Sequence, residues 1–114
     1  MTDITYNFNI FQGADFSLNV ELKDSLGVAR NLTGKSFRGM ARRRIEDTLP
    51  AFEFVFTPID LSIGTFSIKI TSDTTTGLSD RRITKFVYDV EMFLGADVER
   101  ILMGEITMYP EVTR

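Results

Sequence analysis

The stretch 86-FVYDVEMFLGADVERILMGEITMYP-110 decides the fold. Phe86, Tyr88, Val90 and Met92 alternate with Val87, Asp89 and Glu91, and Leu102, Gly104, Ile106 and Met108 repeat the pattern beyond "LGADVER". A period of two is that of a half-buried strand, so the stretch reads as the last two strands of the chain joined by a loop. Five carboxylates run through it. The alternation sends Asp89, Glu91 and Glu105 to the face opposite the apolar row, and Asp97 and Glu99 fall in or beside the loop. They read as the wet side of a sheet, because acid–base catalysis needs carboxylates in a cleft with contrasting environments and nothing in the pattern makes one.

Working outward, the same period recurs. In "ITYNFNI", Ile4, Tyr6, Phe8 and Ile10 alternate with Thr5, Asn7 and Asn9. "DFSLNVELK" places Phe16, Leu18, Val20 and Leu22 on one face and ends at the turn "DSLG". Leu32 is read as an anchor within "VARNLTGK". "SFRGMARRRI" sets Phe37, Gly39 and Ala41 against Arg38, Met40 and Arg42. "AFEFVFT" offers Phe52, Phe54 and Phe56, whose bulk would fill the room left by Gly39 and Ala41. After "PIDLSIG", bounded as a turn by Pro58 and Gly64, "TFSIKIT" turns Phe66, Ile68 and Ile70 inward. A helical turn is expected only in "SDTTTGLSD", capped by Ser72 or Asp73, with Leu78 packed on the core. The expectation is an all-β chain, a β-sandwich of about seven to eight short strands forming one domain over residues 1–114.

Composition narrows the chemistry. The chain of 114 residues has ten Phe, three Tyr, no Trp, no Cys and no His, with a formal net charge of -3. Without histidine and cysteine, the commonest general base, the thiolate nucleophile and the usual zinc ligands are absent together. "GKS" at Gly34 to Ser36 lacks the earlier glycine of a phosphate-binding loop, where Ala29 stands instead, and no G-x-S-x-G or dense acidic calcium loop occurs. No enzyme, metal or cofactor is expected. The N-terminal residues lack the pattern of a signal peptide and no long apolar run occurs, so a soluble protein of a reducing compartment, without a membrane partner, is expected.

The basic run "RGMARRR" concentrates Arg38, Arg42, Arg43 and Arg44 in an acidic chain. Interleaved aromatics for stacking on a single strand are missing and the net charge repels a polyanion, so nucleic acid is not the expected partner. Arg38, Arg42 and Arg44 are read as meeting acidic surface on a neighbouring protein. Asn7 and Asn9, on the outer face of the first strand, mark an edge that could add to a neighbour's sheet.

Gln12-Gly13 after the first strand, Leu32-Thr33-Gly34 before the third, Gly64, Leu78, Tyr88-Asp89, Gly104 and the terminal 110–114 carry a resemblance over nearly the whole chain. In this order they resemble a small domain of tailed-bacteriophage virion proteins, similar to the N-terminal domain of phage baseplate upper proteins and to modules of marine and cyanobacterial phage tail and fibre proteins. The resemblance implies an immunoglobulin-like antiparallel sandwich that is assembled with other virion structural proteins, as a homo-oligomer or symmetric array, in a particle built in the host cytoplasm. It brings no catalytic residue. A domain standing alone favours a decoration, neck or tail component over a fibre adaptor. The competing expectation is a module binding a carbohydrate on the host surface, for which Phe11, Phe93 and Tyr109 are the off-phase or terminal aromatics.

Overall fold

The hairpin at the end of the sequence is the centre of the larger of two sheets. The computed structural model describes residues 4–78 and 80–112. Its strands are β1 (Ile4–Thr5), β2 (Phe8–Phe11), β3 (Phe16–Glu21), β4 (Ser36–Arg42), β5 (Phe52–Glu53), β6 (Val55–Asp60), β7 (Thr65–Ile70), β8 (Thr84–Leu94) and β9 (Asp97–Tyr109), with a short α-helix, α1 (Ser72–Thr76), and a turn of 3-10 helix at Leu61–Ile63. The larger sheet runs β1-β9-β8-β4-β5, with β2 also on β9, and the smaller runs β3-β7-β6. The adjacent trio β4, β8 and β9 facing β3, β7 and β6 is the immunoglobulin-like distribution of strands between two sheets. β1 and β2 hold one register along β9, Ile4 opposite Leu102 and Phe8 opposite Ile106, and form a single interrupted edge strand parallel to the last strand.

Alternation determines which side chains fill the space between the sheets. Phe86, Val90, Met92, Ile106 and Met108 project from the larger sheet and Phe66, Ile68 and Ile70 from the smaller, all buried. Aromatic rings bridge the layers, with Phe8 stacked on Phe16 at 4.7 Å and Phe37 on Phe66 at 4.3 Å between centroids. Gly39 has the role its position suggested. A methyl group there would lie 2.9 Å from the Phe54 ring and 3.0 Å from the Phe56 ring, so the phenylalanines occupy the space that this glycine leaves. Leu32 is buried, and its N–H donates to the carbonyl of Leu61.

Four local expectations are revised. The run of phenylalanines is not one strand: β5 belongs to the larger sheet and β6 to the smaller, with Phe54 alone crossing between them. Pro58 lies within β6 rather than starting a turn, which an edge strand tolerates. The cap of α1 is Thr71, whose hydroxyl accepts from the N–H of Thr74, and Leu78 packs on the core as expected. The β8–β9 hairpin is tight, with Leu94 opposite Asp97 and only Gly95 and Ala96 between them, so Asp97 and Glu99 belong to β9. Gly95, at a φ of 60°, takes the first central position, where a two-residue hairpin favours glycine.

The junction between β2 and β3 is held by a buried glutamine. Gln12 donates through Nε2 to the carbonyls of Thr75 and Leu78 and accepts through Oε1 from the N–H of Glu111. One side chain thereby joins the first turn, the helix and the C-terminal segment. Its neighbour Gly13 turns at a φ of 85°, and its N–H donates to the Thr75 hydroxyl.

Candidate functional site

The outer face of the larger sheet is concave and encloses a hollow of about 560 Å³. Strand register arranges its floor in rows. Arg38, Glu91 and Arg100 make one row across β4, β8 and β9; Met40, Asp89, Met103 and Thr5 make the next; Arg42, Val87 and Glu105 make the third. Ile45, from the loop after β4, adds an exposed aliphatic chain at the rim. Charged residues thus frame a central row in which two methionines flank one carboxylate.

That carboxylate is Asp89. It is half-buried, and among the described residues no donor hydrogen-bonds it. Burial holds its pKa above the usual carboxylate range, the negative charge of Glu91 adds to the effect, and Arg100, Arg42 and Arg38 oppose it. Glu91, by contrast, takes the Arg38 Nε at 2.7 Å, while the Arg38 guanidinium lies 4.8 Å from the Phe93 ring centre. The opening carboxylates therefore have different roles. Glu99 lies on the other face of β9 and accepts both guanidinium nitrogens of Arg30 at 3.0 and 2.9 Å, and Asp97 and Glu105 are exposed.

The basic run is dispersed by the end of β4. Arg38 and Arg42 stay on the sheet and enter the hollow, where Arg42 Nη1 contacts the Met40 sulfur at 3.4 Å. Arg43 turns to Asp80 with a bidentate pair at 2.9 and 2.7 Å, which lowers the Asp80 pKa. Arg44 lies on the exposed loop, 3.6 Å from Asp47. Asn7 lines the hollow, but its Oδ1 accepts from the N–H of Glu105 at 2.9 Å and so fastens the edge strand to β9. Asn9 is exposed one step along the same face, level with Thr107. The structure thus brings Arg38, Arg42 and Asn7 together and leaves Arg44 and Asn9 outside.

Alternation alone did not reveal Arg100 and Met103 as neighbours, because they are three residues apart. A register shift in the β8–β9 ladder places Val90 opposite Leu102 but Glu91 opposite Arg100, and Ile101 and Leu102 are both buried. Adjacent apolar residues inside an alternating run, as Ile101, Leu102 and Met103 in "RILMGE", are the sequence sign of such a bulge. At the far end of the same face, Phe11 stacks on Tyr109 at 5.7 Å with 62% of its surface exposed.

Among the described residues, no three or more Asp or Glu side chains gather closely enough to hold a metal ion, and no helix is long and apolar enough to cross a membrane. No protein-family model matches the chain, and a search of curated proteins also finds no match.

Proposed function

We propose that the chain is a non-enzymatic structural subunit of a tailed-bacteriophage virion, a tail, baseplate or neck component or a protein decorating the capsid, acting through assembly with other virion proteins. The observation that carries this reading is the concave face of the larger sheet. It combines the exposed aliphatic chain of Ile45 and half-buried thioethers with oppositely charged rows, the mixture that gives a docking surface both contact area and register. Of the carboxylates that line it, Glu91 is tied to Arg38 and Glu105 is exposed, which favours docking over chemistry; elsewhere Glu99 is tied to Arg30, and Asp24 and Asp60 accept backbone N–H bonds in turns. Many copies on a symmetric particle would be retained through effective concentration even where each contact is weak.

Immunogold electron microscopy with an antibody against the chain tests this directly. Label on tailed particles is expected, at positions repeating with the particle's symmetry. Particles free of label, while the protein stays in the unassembled fraction, would reject the proposal.

The Phe11–Tyr109 pair supports a second reading, a module binding a host-surface carbohydrate. Phe11, exposed and stacked on the half-buried Tyr109 beside Asn9 and Thr107, offers a ring face and hydrogen-bonding groups side by side. Binding of the protein to host cells that disappears with Phe11→Ala and survives Arg42→Glu would favour this reading over assembly.

A further inference from the structure

Among the described residues the two sheets end in four edges, and three of them carry features that hinder the addition of another strand. β5 is two residues long. β6 contains Pro58, which has no N–H, and its register shifts before Asp60. The β1–β2 edge breaks at Tyr6 and Asn7, where the Tyr6 carbonyl accepts from the Tyr88 hydroxyl.

β3 has no such feature. Its six residues, Phe16 to Glu21, pair with β7 without a break and include no proline, glycine or lysine. Among the described residues, its backbone has no hydrogen-bonding partner besides β7. The apolar row of β3 is also incompletely covered. Phe16, Leu18 and Val20 are half-buried, whereas the residues opposite them on β7, Ile70, Ile68 and Phe66, are 1%, 2% and 0% exposed.

The geometry points to β3 as a pairing edge on which a second copy of this chain docks through its own β3, antiparallel, about a two-fold axis at Asn19. Directly opposed residues of an antiparallel pair share a face, so two copies match apolar to apolar only when the axis passes through a residue. Centred on Leu18, the strands set Asp15 against Glu21, a repulsion that symmetry repeats. Centred on Val20, they set Phe16 against Asp24. Centred on Asn19, Leu18 faces Val20, Phe16 faces Leu22, Ser17 faces Glu21, and Asp15 faces Lys23. Both ends of the ladder then carry opposite charges, and Lys23, already 3.3 Å from Glu21 of its own chain, gains the partner's Asp15. Such an interface is closed and self-complementary, joining two three-stranded sheets into one of six strands and covering Leu18 and Val20 of both copies. It stands independently of the docking role proposed for the larger sheet.

Light scattering over a concentration series tests the pairing, with Asn19→Lys and Asn19→Asp as variants. Asn19 is exposed, so either charge is compatible with folding, which circular dichroism would verify. The wild type is expected at twice its 12.9 kDa chain mass and each variant at the single mass, because like charges then meet on the axis. An equimolar mixture of the two variants should regain the doubled mass by placing Lys opposite Asp. Amide exchange across residues 16–21 should be slower in the wild type than in Asn19→Lys. A wild type at single mass, a doubled mass surviving both substitutions, a mixture that stays monomeric, or equal exchange in β3 would overturn the inference.

Discussion

The hydroxyl of Tyr88, on the central strand β8, donates to the backbone carbonyl of Tyr6 in the break of the edge strand. Gly104 lies between them on β9, opposite Tyr88, with a φ of 157°. A side chain there would start 2.3 Å from the same carbonyl, so glycine permits the approach that the tyrosine then fastens. Tyr88→Phe should cost about 1–3 kcal/mol in chemical denaturation, since it leaves a carbonyl without its donor.

The same phenol gives a pH dependence. Burial holds the Tyr88 pKa well above its ordinary 10.0. The unfolded chain releases this proton as pH passes that value while the folded chain keeps it, so stability present below it is lost as pH rises further. Denaturation midpoints measured on the alkaline side should fall less steeply in Tyr88→Phe than in the wild type.

Gly39→Ala tests the fit between β4 and the phenylalanine crossover. The added methyl meets two rings and, at 3.0 Å, the carbonyl of Asp89, which belongs to the sheet and cannot rotate away. Overpacking of this kind should destabilise by about 1–3 kcal/mol, read from urea melts.

Arg30 and Glu99 join the loop before β4 to β9. The hydrogen bonds from Arg30 hold the Glu99 carboxyl below its ordinary 4.5, so the pair contributes stability above that pH and loses it as pH falls through the lowered value. Glu99→Gln should cost about 1 kcal/mol at neutral pH and flatten the acid limb of the stability profile.

Asp89→Asn has the opposite sign. Folding raises the pKa of this carboxyl, so its charge is a burden on the native state once the pH exceeds that raised value. Near its titration range and above, the asparagine variant should match or exceed the wild type in thermal midpoint. If the concave face docks a partner, the same variant should weaken that assembly in a co-sedimentation assay, separating a functional cost from a structural gain.

Much of this was legible in residue order. The alternation in "SFRGMAR" and "FVYDVEM" assigned inner and outer faces correctly, because a sheet covered on one side has no other way to arrange those residues. The order of residues therefore puts Arg38 and Arg42 on one surface. It does not place Phe54, since crossing between sheets at a single residue leaves the period of two intact. Arg100 and Met103 were hidden by the bulge, and the open edge of β3 by strand order, which depends on long-range pairing. Thr71 does not read as the cap, because it ends an alternating run and looks like strand.

Because β1 and β2 lie parallel to β9, the segments bearing Ile4 and Tyr109 leave their shared ladder at opposite ends. Tension applied between those two residues would run along the strands and strain the rungs from Ile4–Leu102 to Phe11–Tyr109 together, rather than peeling them apart in sequence. The edge strand therefore acts as a shear clamp, with the Tyr88–Tyr6 bond as a latch across it, and mechanical failure of the domain would be abrupt rather than gradual.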